Sequence, residues 1–166
     1  NIHIDFQYNY TIIICMRLFI SIFILLNCNL INAKIIKPNP SIKPIDVISI
    51  QLEALKNNND PFDDAGIIQT WEFAHPNNRI FTGPINNFIK MIKNPSYSMM
   101  LDHLDHKINT IKENDSISFY FVELIDWKGN KYGFEWIVSK VEDDSEFKNC
   151  WMTSGVSQPL PMAKGV

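Results

Sequence analysis

The chain has 166 residues, 46% of them hydrophobic and 20% charged, which provides for one globular core and leaves no second block long enough to fold alone. Fifteen basic and eighteen acidic residues give a net charge of -3, with no basic run, so a nucleic-acid backbone finds no electrostatic footprint and is not an expected partner. Only Arg17 and Arg79 are arginine, amid abundant Asn, Ile and Lys, a bias of coding composition from which no function is read.

The first residue is not methionine. Met16-Arg17 precedes the apolar run Leu18 to Leu26, then polar residues and a small residue, Ala33, which is the layout of a secretory signal. We therefore expect an upstream extension over 1–15 and a signal peptide over 16–33. Arg17 would be costly inside a membrane anchor, so no stable span is expected in the mature chain. Removal of the leader takes Cys15 and Cys28 and leaves Cys150 without a disulfide partner. Residues 34–44, "KIIKPNPSIKP", carry Lys, Pro and Ser but no acid. They read equally as a Pro-rich linker or as a transit-like segment, and the latter after a signal would suit a complex plastid reached through the secretory route. Secretion or an endomembrane lumen is the alternative destination. Asn114-Asp115-Ser116 is a glycosylation sequon for a chain that stays in that pathway.

A single domain is expected over 45–158. Ile45, Ile48, Leu52 and Leu55 recur at helical spacing and "NNNDP" ends the run. "DDAGIIQTWEFA" (63–74) reads as a shorter helix ended by "HPNNR". Ile85, Phe88, Ile89 and Ile92 share a helical face, with Thr82-Gly83-Pro84 as cap and first-turn proline. Further on, "LDHLDHKINTIK" (101–112) is open. As a helix, Leu101, Leu104, Ile108 and Ile111 would form one stripe, and periodicity alone slightly favours this; as a strand, His103 and His106 would point to opposite faces and could not hold one ion.

Beyond Ser116 the residues become aromatic and β-branched. "SISFYFVELID" and "KYGFEWIVSKV" are expected to pair through a two-residue Gly129-Asn130 turn, which sets Ile125 opposite Phe134, Glu123 opposite Trp136 and Phe121 opposite Val138. The polar loop "EDDSEFKN" then leads into a last strand, "CWMTSGVS" (150–157), beside the hairpin. Residues 159–166 are expected to be a flexible tail.

Taken in order, "QLEALKNNNDPFDDAGI", "NNRIFTGPINNFIKMIK", "LDH" and "YGFEWIVSK…CWMTSGVS" resemble the domain of unknown function 4864, particularly its plant and algal branch. The resemblance spans about Ile45 to Ser157 and rests on the ordered set rather than on one motif. It implies an α+β fold of the nuclear-transport-factor-two-like (cystatin-like) kind, with N-terminal helices packed on a strongly curved antiparallel β-sheet. It also implies that 101–112 is a strand after the second main helix, against the periodicity. No activity, cofactor or catalytic residue comes with the family.

Several residues invite chemistry. On the hairpin register above, Glu123 sits on an aromatic face beside Phe121, Ile125 and Trp136, where desolvation would raise its pKa and suit it to general-base work with His103. Phe121, Ile125, Phe134 and Trp136 would line a hollow for a small apolar ligand. Trp127, Tyr132, Phe134 and Trp136 could stack on a flat molecule, although a small sheet needs such residues for its core. No metal centre or cofactor is expected. Cys150, with no activating group nearby, reads as a buried strand residue. The opposite sheet face, expected to carry Tyr120, Val122, Leu124 and Ile137, would suit a homodimer. The expected function is a small-ligand-binding or protein-interaction domain. The alternative is a pocket enzyme of isomerase or hydrolase type using Glu123 and His103 for proton transfer, which fold analogy alone permits.

Overall fold

The structure, a computed structural model, describes residues 35–163. The expected extension over 1–15 and signal peptide over 16–33 lie outside these residues. Among the described residues, four α-helices precede an open antiparallel sheet of five strands, an α+β architecture. None of these helices is long and apolar enough to cross a membrane.

Helix α1 (Pro44–Lys56) starts on a proline in its first turn, where the missing N–H costs nothing, and places Asp46 and Lys56 at the ends that favour their charges. Its stripe of Val47, Ile48, Leu52 and Leu55 is fully buried. Each such side chain contributes roughly 1.5–3 kcal/mol on burial. Helix α2 (Ala65–Glu72) crosses α1 at close range because Gly66 has no side chain: a Cβ there would lie 2.1 Å from the Ala54 carbonyl oxygen. The Asn58 side-chain oxygen accepts the Ile67 amide nearby.

"HPNNR" begins a helix rather than merely ending one. Helix α3 (Pro76–Thr82) is capped by His75, whose Nδ1 accepts the Asn77 amide at 3.2 Å. Histidine is an uncommon cap, so the residues before Pro76 carry no ordinary helix-start signal. Arg79 of α3 reaches back to the carbonyls of Trp71, Glu72 and Ala74, satisfying the orphan end of α2, and its guanidinium lies over the Trp71 ring at 5.0 Å. Helix α4 (Ile85–Lys93) buries Phe88 and Ile92 as its spacing predicts. Pro84 is its N-cap and no side chain caps it; the Thr82 hydroxyl instead bonds the Asn78 carbonyl. A 3₁₀ turn (Ser98–Met100) leads to the sheet.

Strands β1 (Asp105–Glu113), β2 (Ile117–Ile125), β3 (Lys131–Lys140) and β4 (Trp151–Val156) lie in that order. The region 101–112 is thus extended from Asp105 onward, as the resemblance implied. β5 (Leu160–Met162) falls in the expected tail but pairs with Lys131–Gly133 at one end of β3, while β4 pairs with 136–140 at the other. Residues 73–75 cover the free edge of β4: Thr153 donates to Phe73 and accepts from His75.

The hairpin register differs from expectation by three residues. Ile125 pairs with Lys131, Glu123 with Gly133, Val122 with Phe134 and Tyr120 with Trp136. The cause is Asp126, whose carboxylate accepts the amides of Lys128 (2.9 Å) and Asn130 (2.7 Å), while its own amide donates to the Asn130 carbonyl. The turn is therefore the three residues Trp127 to Gly129, with Gly129 at φ 79° in the left-handed position such loops require. An odd shift exchanges faces. Tyr120, Val122 and Leu124 join Phe134, Trp136 and Val138 in the core against the helices, and Phe121, Glu123 and Ile125 move to the half-buried outer face with Phe119 and Ile137.

The segment 35–43 is docked rather than free. The Gln69 side chain makes two hydrogen bonds to the Ile36 backbone, and Lys37 pairs with Glu72 at 2.8 Å.

Candidate functional site

Between the helices and the β3–β4 end of the sheet lies a cavity of about 210 Å³. Leu55 of α1, Phe88 and Ile92 of α4, and Met100 of the 3₁₀ turn form its apolar walls, and Trp136, Gly155 and Val156 form the sheet side. Asn78, Thr82 and Tyr97 add polar atoms.

One wall is a fixed chain of hydrogen bonds. The Trp136 indole donates to Thr153 Oγ1 (3.1 Å), Thr153 Oγ1 donates to Gln51 Oε1 (2.6 Å), and Gln51 Nε2 donates to the Thr70 carbonyl (3.0 Å). Gln51 and Thr153 are almost wholly buried, so each bond prevents an unsatisfied polar group. The Thr70 hydroxyl is also spent, on the Gly66 carbonyl. Tyr97 differs: its hydroxyl accepts from the Gln158 side chain at 3.1 Å, and burial raises its pKa, so the phenol keeps a proton to donate. No carboxylate, imidazole, thiol or amine lines this cavity.

The candidate acid–base pair is not brought together. Glu123 lies on the outer face, where Asn109 donates to its carboxylate at 3.0 Å, and it borders a depression at the sheet edge instead of the interior cavity. Its place on the outer face follows from the register, since Asp126 closes the hairpin earlier than the Gly-Asn pair would. Phe121 and Ile125 leave the hollow with it. Phe134 and Trp136 stay in the core, but only Trp136 reaches the cavity. Trp127 is 61% exposed on the loop, so the four expected stacking aromatics do not share a surface. For a homodimer, the outer face offers Phe119, Phe121, Ile125 and Ile137; Tyr120, Val122 and Leu124 are buried.

His103 is buried and stands before the strand begins. Asp102, at φ 51°, turns the chain there, so the alternation of a strand does not separate His103 from His106. The two rings meet at 2.8 Å, His103 Nε2 to His106 Nδ1, and His103 Nδ1 lies 2.7 Å from the Met100 carbonyl. His106 Nε2 faces Glu53 Oε1 at 3.6 Å. Burial lowers the pKa of both rings; for His106 the Glu53 carboxylate opposes this and Lys56 assists it. Among the described residues no group of three or more His, Cys, Asp or Glu side chains is placed to hold a metal ion. Cys150 is buried just before β4, packed with Val141 and Met152, and burial raises its thiol pKa, so it is not activated.

No protein-family model matches the chain, and no curated protein or solved structure matches it.

Of the cavity residues, Gln51 had a readable signal: it falls at i+3 from Ile48 and i−4 from Leu55, a polar residue inside an apolar helical stripe. Thr153 and Tyr97 had none, because their partners are brought near only by folding.

Proposed function

We propose that this chain is a small-ligand-binding domain whose interior cavity takes a compact, mainly apolar molecule carrying one hydrogen-bonding group. The observation that carries this reading is the cavity lining, apolar on most sides and free of ionisable groups other than the Tyr97 phenol. An apolar hollow of about 150 Å³ accommodates benzene, so about 210 Å³ suits a ligand of roughly eight to ten non-hydrogen atoms. The polar wall is internally satisfied and offers no strong pull to a charged ligand. Tyr97 is the donor a ligand carbonyl or hydroxyl would meet.

We further place the chain in the domain of unknown function 4864, with a nuclear-transport-factor-two-like (cystatin-like) fold and a curved sheet. Helices that precede a meander of four antiparallel strands support this, together with the ordered sequence segments. Entry into the secretory pathway, with a plastid as one destination, belongs to the same proposal and rests on the residues of the leader.

The test is titration with a series from benzene and phenol to hexanol, read by the methyl resonances of Met91 and Met100. We expect saturable shifts that Val156→Trp abolishes by filling the cavity while the fold, judged by circular dichroism, persists. Shifts that do not saturate, or that survive in Val156→Trp, would remove the proposal.

A further inference from the structure

The paired histidines do not take part in the proposed ligand site, and their geometry fixes where their protons are. A carbonyl oxygen only accepts, so His103 Nδ1, 2.7 Å from the Met100 oxygen, must carry hydrogen. A neutral imidazole has one N–H, which leaves His103 Nε2 as an acceptor. His106 Nδ1, 2.8 Å away, is then the donor. That spends the single proton of neutral His106 and leaves its Nε2 bare, facing the Glu53 carboxylate at 3.6 Å. Two acceptors face each other across that gap, and one proton fits between them.

We propose that His103 and His106 form a site for a single added proton, taken up at His106 Nε2 against Glu53, and that a second proton unlatches the segment 100–104 from His106 of β1. The first proton keeps the bond between the rings: the His106 imidazolium still donates through Nδ1 to His103, and its Nε2–H faces Glu53 as an ion pair. A second can go only to His103 Nε2, which sets two N–H groups head to head and two positive rings at 5.0 Å between centroids. The His103–His106 bond then breaks. Segment 100–104 is then held by two backbone bonds, from the Asp102 amide to the Leu55 carbonyl of α1 and from the Leu104 amide to the Ile125 carbonyl of β2.

The surroundings set the order of events. From α1, Glu53 favours the charge and Lys56 opposes it; from β1, Asp105 favours it. Lys107, Glu123 of β2 and Lys131 of β3 border the same edge depression as His106. Glu53 is the carboxylate that meets Nε2, at 3.6 Å, and its side chain is 61% exposed, so its pull is moderated by water. His103 is 2% exposed and charges last. Met100 supplies both the anchoring carbonyl and part of the cavity wall. Resting on the ligand-binding reading above, the latch makes ligand affinity fall with the second proton.

The experiment is NMR titration of the full chain, ligand-free, with ¹⁵N-labelled histidine and ¹³C-methyl methionine. At neutral pH both rings should be Nδ1–H tautomers, the reverse of the usual preference of free histidine. On acidification His106 should titrate first, and His103 second, together with the Met100 methyl. Glu53→Gln, a change on the exposed side of α1, should lower the first midpoint by roughly half to one pH unit. An Nε2–H tautomer on either neutral ring, independent titration of the two rings, or a first midpoint unmoved by Glu53→Gln would overturn the proposal. A hexanol titration at each pH separates the two readings. No binding at any pH sinks the ligand site and leaves the tautomers to decide the proton site, whereas binding unaffected by the second step removes the coupling.

Discussion

Thr153 ties the sheet both to α1 and to the segment that follows α2. Its hydroxyl accepts from Trp136 and donates to Gln51, and its backbone pairs with the 73–75 segment that closes the edge of β4. Thr153→Val keeps the shape but leaves a buried indole N–H and a buried amide oxygen without partners. We expect a loss of about 2–4 kcal/mol in urea unfolding, against less than about 1.5 kcal/mol for Thr153→Ser, which keeps the hydroxyl. Asp126 is a second residue with reach beyond its size. Burial works to raise its pKa, but the hydrogen bonds from Asn130 and Lys128, with the Lys128 charge, outweigh that and hold it below the ordinary value. A carboxylate depressed in the folded state contributes stability that is present above its unfolded value and lost as pH falls through the folded one. Asp126→Ala should therefore lower the thermal midpoint at neutral pH, with the gap to the parent narrowing on acidification below about pH 3.8. A gap constant with pH would contradict the role of the charge.

At the scale of elements, two glycines separate kinds of close approach. Gly66 faces backbone: an added Cβ would meet the Ala54 carbonyl at 2.1 Å, and neither helix can yield without moving whole. Gly133 faces a ring: the nearest atom to its added Cβ is the Phe121 Cζ at 2.4 Å, on the half-buried outer surface where the ring can swing away. Gly66→Ala should abolish folding or cost upwards of about 3 kcal/mol, while Gly133→Ala should cost roughly 1 kcal/mol, as measured by denaturant midpoints. The hairpin shows where element-level reading from sequence works and where it stops. The strands are legible because aromatic and β-branched residues alternate. Their register is not, because "DWKGNK" contains both a Gly-Asn pair and an Asp able to cap a three-residue turn. The stronger device is a carboxylate accepting two amides, and choosing it moves Glu123 from the core face to the outer one.

Across the molecule, acid is the expected weakness. His75, His103 and His106 all have pKa values lowered in the fold, each mainly by burial. The unfolded chain binds more protons wherever pH lies between the folded values and 6.5, so the stability these groups contribute is complete above 6.5 and declines as pH falls through the folded values. The thermal midpoint should climb with pH up to about 6.5 and then flatten, and His103→Phe should reduce the slope. A second whole-molecule feature is the strap of residues 35–43. Its attachment depends on Gln69 and on the Lys37–Glu72 pair, both outside the core. Gln69→Ala should speed hydrogen exchange of the Ile36 amide, which the Gln69 side chain holds, with little change in the global unfolding midpoint.

Helices α1, α2 and α4, the strand-rich second half and the burial of Cys150 were determined by the sequence itself, because local periodicity and composition decide which stretches hide an apolar face. Tertiary structure alone decided the rest. The Asp102 bend put two histidines in contact that a strand would have parted, and Asp126 set the register that removed Glu123 from the interior. Four helices closed over Trp136 and Thr153 to leave a hollow without an acid or base. The hollow depends on groups far apart in sequence, and the other two on competition between local turns that periodicity does not rank.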